Sequence, residues 1–167
     1  MKIQAQNNGE LARIGVLIER ISVSMLTTAD GDGALISRPM SPLEMDVNGA
    51  LWFFTDVRSA KVEQLRSVNI GFSDTERGIY VSLSRHGEIY ADHGHAEHLW
   101  TSFAEAWFPD GPDSSSLALL KFVPDAADYW DAPHSKMVRL LAMAASVVSG
   151  EAIAVGDRGR LTALTPN

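Results

Sequence analysis

Three stretches bring together side chains able to hold a flat, charged ligand: Ser37-Arg38-Pro39-Met40, Leu51-Trp52-Phe53-Phe54-Thr55-Asp56 and Ser59-Ala60-Lys61-Val62. Thr55 puts a hydroxyl at the end of an apolar run. Ser59 and Ala60 open what reads as a short helix, whose free backbone N–H groups attract anions, and Lys61 adds a cation one step inside it. Arg38 supplies a second positive group from the preceding strand. Pro39 and Pro42 interrupt that strand, freeing backbone groups to bond ring heteroatoms. Together these features describe an aromatic ring system that carries a phosphate. Each part alone also has an ordinary reading. Ser59 can be a simple N-cap, Lys61 a solvated lysine, and Arg38 a surface ion-pair residue of small energetic value. Strand alternation sends Trp52 and Phe54 to one face and Phe53 to the other, and one of those faces is core.

Other chemistries find less support. His93, His95 and His98 have a spacing at which neutral imidazoles can ligate zinc, with Asp92 and Glu97 nearby. On a strand His93 and His95 would share a face, but His98 enters the following helix, and a solvated strand-to-helix corner is the preferred reading; no metal site is assigned. No serine sits in a Gly-x-Ser-x-Gly elbow, and no Gly-x-Gly-x-x-Gly fingerprint is present. With no cysteine there is no disulfide, thiolate metal site or thiol nucleophile, so redox chemistry has to come from a bound cofactor.

The elements that must position these residues follow from periodicity. Apolar residues at Leu11, Ile14, Leu17, Ile18 and Ile21 mark one face of a helix over residues 9–21. Strands are expected over 22–28 and 34–45, joined at Asp30-Gly31-Asp32-Gly33 into a hairpin whose proline-bearing second strand belongs at an edge. Asn48-Gly49 turns the chain into a strand over 50–55. A short helix capped by Ser59 ends near Arg66, and strands over 68–73, 79–84 and 88–95 follow. A helix over 96–107 carries Leu99, Trp100, Phe103 and Trp107. Extended pieces at 117–123 and 127–130 flank Pro124, and residues 136–149 read as a helix or a last strand. The expected fold is mainly β, a small antiparallel barrel of six or so strands decorated by helices, with a β-sandwich as the alternative. The 167 residues make a single domain, 1–167, with a core over about 11–150 and a tail over 151–167.

The net charge of −7, from 14 basic and 21 acidic residues, argues against nucleic acid and acidic membranes as partners, because no run of Lys or Arg is present. The N-terminal residues carry no apolar signal region, and no uncharged stretch approaches a membrane span. A cytoplasmic location is the expectation.

Seven segments in order carry a family resemblance: 26–33 (Leu-Thr-Thr-x-Asp-x-Asp-Gly), Ser37-Arg38-Pro39-Met40, Leu51 to Asp56, Ser59-x-Lys61-Val62-Glu63, Tyr80-Val81-Ser82-Leu83-Ser84, 106–112 (Ala-Trp-Phe-Pro-x-Gly-Pro) and Tyr129-Trp130-Asp131-x-Pro133. In this the chain resembles the general-stress-protein branch of the pyridoxamine 5′-phosphate oxidase-like family over nearly its whole length. The resemblance implies an FMN-binding split barrel that forms a homodimer, with flavin clefts at the dimer interface. By position it implies that Arg38, Pro39 and Met40 lie along the isoalloxazine, and that Phe54 and Thr55 meet the ring edge and the ribityl phosphate. Ser59 and Lys61 would hold the phosphate, and Trp130, with Trp107 second to it, would reach the flavin from the other subunit. Tyr80 stands where the oxidase proper has a polar residue near the flavin. Ala60 replaces a second basic residue of the phosphate cradle, leaving Arg58 or Arg38 to supply charge. The Arg/His substrate-phosphate motif that follows in the oxidase proper has no counterpart after Trp130, so pyridoxamine phosphate oxidation is not expected.

The functional expectation is an FMN-dependent oxidoreductase of unknown substrate, drawing on NAD(P)H or another electron donor. Arg38 or neighbouring backbone N–H groups would stabilise negative charge on the reduced ring, and no catalytic side chain is named. The alternatives are a flavin-binding or flavin-sensing stress protein without a dedicated substrate, and a binder of a related cofactor such as a deazaflavin or haem.

Overall fold

The computed structural model of the chain describes residues 1–132, 157–162 and 164. The segment read as a helix or strand over 136–149 lies outside the described residues.

The elements run β1 (Lys2–Ile3), α1 (Gly9–Ile18), β2 (Ser24–Ala29), β3 (Leu35–Met40), β4 (Glu44–Met45), β5 (Leu51–Asp56), β6 (Val68–Asp74), β7 (Ile79–Arg85), β8 (Gly87–Tyr90), α2 (His93–His98), β9 (Leu117–Phe122), β10 (Ala126–Asp131) and β11 (Asp157–Thr162). Two sheets result, one ordered β1-β4-β5-β9-β8 and the other β11-β10-β7-β6-β2-β3. All pairings are antiparallel except β1 with β4. The mainly β barrel with helices read from the sequence is the observed fold.

Helix α1 begins at Asn8, whose side chain accepts from the backbone N–H groups of Glu10 and Leu11. It buries Leu11, Ile14, Leu17 and Ile18, the expected stripe. That stripe packs into a core with Leu26, Phe53, Ile70, Leu83, Leu120 and Phe122, drawn from both sheets. The Asp30 to Gly33 turn closes the β2–β3 hairpin, and β3 is the edge of its sheet as its proline requires. Pro42 ends that strand's run, and the chain re-enters the other sheet as β4. At Gly49, φ is +79° and an added Cβ would come within 2.7 Å of Leu11 Cδ2, so the turn into β5 needs glycine both for its backbone and for its contact with α1.

Strand β5 is covered on both faces. Phe53 is fully buried in the main core. Trp52 points the other way, into a second cluster with Ala96, Leu99, Leu117 and Leu119, and Phe54 packs against it. Glu44, only 2% exposed, is held near this cluster by a 2.8 Å hydrogen bond from Gln4 Nε2 and by Lys2 Nζ and His95 Nε2 at 3.7 and 3.6 Å.

Three sequence expectations need correction. The helix expected over 96–107 is α2 followed by a separate 3₁₀ turn at Ala104–Ala106. Asp92 caps α2 by accepting from the His95 N–H, so the helix starts earlier, and burial of Leu99 against Trp52 turns the chain out of it. His93 and His95 therefore lie on α2 rather than on a strand. His95 stacks edge-on against Trp52 with ring centroids 4.4 Å apart. Finally, part of the expected tail is strand β11, which pairs along the whole of β10. An ion pair from Arg13 on α1 to Asp157 fastens its start.

Replacing Phe53 with Ala is expected to cost about 3–5 kcal/mol. Val16→Ala, on the solvent side of α1, should stay within about 0.5 kcal/mol. Urea denaturation of both variants against the parent checks this contrast.

Candidate functional site

A cleft of ≈ 450 Å³ opens where the edge strand β3 passes the end of β5. Pro39, Met40 and Ser41 form one wall; Phe54, Thr55 and Asp56 form the floor; Lys61 enters from the following turn; Phe103, Trp107 and Phe108 form the far wall. The order of segments in the sequence thus becomes a closed ring of side chains. Of the residues expected to bind cofactor, Pro39, Met40, Phe54, Thr55 and Lys61 meet here.

Thr55 is 2% exposed, and its Oγ1 has no hydrogen-bond partner among the described residues. A buried hydroxyl left unpaired costs about 1–3 kcal/mol. The residue lies on the face of β5 shared with Phe53 and so points inward, yet it borders the cleft at the strand's end. A polar ligand that offers an acceptor or donor there would satisfy it.

The charges around this floor are sorted into two groups. The Asp56 carboxylate takes a two-pronged contact from Arg58, with Nε at 3.0 Å and Nη2 at 2.6 Å, and also accepts from the Arg58 backbone N–H. These bonds hold its pKa down at about 2. Arg58 is thereby committed to Asp56. Arg38 donates to Thr28 Oγ1 at 3.0 Å, and Thr28 passes its own proton toward Gln64 Oε1 at 3.0 Å. Lys61 is half-buried. Burial first, and the Arg38 charge second, push its pKa below the ordinary lysine value, while Asp56 opposes the shift. A lysine held in this way disfavours the fold at any pH where it is charged, fully so below its depressed pKa and no longer above the ordinary one. An anion bound beside Lys61 and Arg38 offsets that penalty.

Ser59 occupies the expected N-cap position, but its side chain makes no capping bond. Its backbone instead links Asp56 O and Val62 N, and the expected helix is five residues of 3₁₀ turn, Ala60–Gln64. Three residues per turn eclipse the side chains, and so short a segment carries little macrodipole. The cationic character of the site therefore rests on Lys61 and Arg38. Ser59 does not border the cleft.

Trp130 stands elsewhere in its own chain. It lies on β10, 39% exposed, beside Tyr80 across the ladder and under the Arg158 guanidinium, which is 5.5 Å from its ring centroid. In sheet order β10 is far from β3, but Pro39 and Trp130 point from the same face. Pro39, Met25, Gly71, Ser82 and Asp128 follow one another in register across five strands, and Trp130 is two residues beyond Asp128.

Sequence reading missed Phe103 and Phe108 as cleft residues and gave Trp107 only as a contact from the other subunit, second to Trp130, whereas it lines the cleft of its own chain. Phe103 and Trp107 are 66% and 73% exposed. The signal was the density of aromatics within 100–108, which a single buried helix face over-explains.

The family model described as pyridoxamine 5′-phosphate oxidase like matches residues 9–154. Among solved structures, a proposed general stress protein 26 from Jannaschia sp. CCS1 shares 26% identity and a TM-score of 0.72, covering 93% of this chain and 99% of that one. The general stress FMN/FAD binding protein from Xanthomonas citri shares 28% identity and a TM-score of 0.62, with coverage of 74% and 90%. A protein related to general stress protein 26 of B. subtilis, from Clostridium acetobutylicum, gives 25%, 0.64, 72% and 87%. No curated protein matches the chain.

Replacing Arg58 with Ala should raise the Asp56 pKa from about 2 toward the ordinary aspartate value of 3.8, as read by carboxyl-detected NMR titration. The stabilisation Asp56 gives is present above the ordinary carboxylate pKa and is lost as pH falls through the depressed one. In the variant that acid limb should flatten.

Proposed function

The chain belongs to the pyridoxamine 5′-phosphate oxidase-like family, and on that premise we propose that it binds FMN in the cleft and acts as a flavin-dependent oxidoreductase. The observation that carries this reading is the buried, unpaired Thr55 hydroxyl beside the half-buried Lys61. Both are costly in an empty cleft, and both are relieved by a phosphate-bearing ligand.

Lys61 and Thr55 would hold the phosphate end, with Arg38 adding charge from behind Thr28. Pro39, Met40 and Phe54 would hold the ring. When bound, FMN supplies the electron transfer, with NAD(P)H as the proposed donor. The protein's own part is to orient the ring against apolar walls and to keep positive charge beside it. Arg58 contributes little to this, since Asp56 neutralises it. The same geometry serves a flavin-storing or flavin-sensing stress protein, and reduction of the bound flavin by NADH or NADPH separates the two readings.

A homodimer fits the outer face of the six-stranded sheet. That face has the small residues Gly71, Ser73 and Ser82 at its centre and Met25, Tyr80 and Trp130 exposed around them. A two-fold axis through the centre would set the Trp130 end of one subunit against the Pro39 end of the other. Each cleft would then gain an aromatic ring from its partner. Among the described residues no helix is long and apolar enough to cross a membrane.

The test of the phosphate site is a pair of affinities. Lys61→Ala should weaken FMN binding about tenfold or more while changing riboflavin binding far less, and Thr55→Val should act in the same direction more weakly. Equal losses for FMN and riboflavin would remove the phosphate from Lys61. Trp130→Ala should shift the visible spectrum of bound flavin, and sedimentation of the parent should give the mass of two chains; an unshifted spectrum removes Trp130 from the site.

A further inference from the structure

The cleft divides by chemistry along its length. Among its described lining residues only Asp56 and Lys61 have ionisable side chains, and both lie at the floor. The far wall is aromatic. Phe54 contacts Trp100 and Phe108 with centroids 5.6 and 6.2 Å apart, forming a partly buried base. Phe103 and Trp107, one helical turn apart in sequence, project beyond that base and leave most of their surface in water. Among the described residues neither side chain joins a hydrophobic core cluster, and both line the cleft.

We propose that Phe103 and Trp107 form the substrate grip of this site and that the substrate class is planar, uncharged and aromatic, as in a quinone. This rests on the FMN reading above. If a flavin phosphate takes Lys61, the described lining residues offer an incoming molecule no remaining cation. The Asp56 carboxylate is already paired with Arg58 and adds no free charge of its own. An anionic substrate, a phosphorylated one included, would give up its hydration with no free cation among the described lining residues to replace it. A neutral ring gains stacking and burial against two side chains that now lie in water.

The experiment titrates the purified, flavin-loaded protein with naphthoquinone and with a naphthoquinone sulfonate, following heat and the flavin difference spectrum. The neutral compound should bind about tenfold more tightly than the anion, and Trp107→Ala and Phe103→Ala should each weaken it several-fold with the flavin content unchanged. Equal affinity for the two compounds, or unchanged naphthoquinone affinity in both variants, overturns the proposal. Loss of flavin from Trp107→Ala also overturns it, since the rim would then hold the cofactor itself. A colourless parent protein that takes up no FMN sinks the cofactor reading, whereas a yellow protein without the expected discrimination sinks only the grip. Both substituted side chains are exposed, so folding of the variants is expected to be intact.

Discussion

Burial of β5 on both faces is the constraint from which the rest of the structure follows. A strand with one wet face can slip or end without much loss. This one has Phe53 locked between the sheets and Trp52 and Phe54 locked under α2 and the aromatic loop, so a shift by one residue would exchange the two sets and empty both clusters. Its fixed register places Thr55 and Asp56 at the strand's end. The edge strand β3 and the turn with Lys61 are then arranged around a floor that cannot move.

That rigidity explains how the site tolerates its own cost. A buried hydroxyl without a partner and a lysine pressed below its ordinary pKa both work against folding. They persist because the surrounding core over-determines their position, which is the usual trade between stability and a preorganised site. Arg58 and Asp56 show the complementary device. Their mutual bonds remove one cation and one carboxylate from play, leaving Lys61 and Arg38 as the positive pair. A net charge of −7 is compatible with anion binding for this reason: the two relevant cations are local and the acidic excess lies elsewhere.

Much of the fold was legible because its signals are local. The stripe at Leu11, Ile14, Leu17 and Ile18, the Asp-Gly and Asn-Gly turns, and the prolines on β3 each encode their structure within a few residues. Failures occurred where neighbours distant in sequence decide. Nothing near Ser59 reveals that the turn behind it stays 3₁₀ and leaves its hydroxyl uncapped. Helix α2 was misplaced because its end depends on Leu99 joining the cluster around Trp52, a residue distant in sequence. Strand β11 looked like a tail because its pattern is weak, and it exists by pairing with β10 and through the ion pair from Arg13 to Asp157.

By itself the sequence determined the fold class, the family and the set of residues from which a phosphate and ring site could be built, since residue type and order are enough to carry those. Tertiary structure alone decided which of them meet. Pro39, Met40, Phe54, Thr55 and Lys61 converge, Ser59 falls aside, and Trp130 faces outward on the same sheet face as Pro39 but several strands away. It also decided that Phe103 and Trp107 stand in water at the cleft mouth. Exposure and convergence are properties of packing between segments far apart in the chain, and no local pattern of residues encodes them.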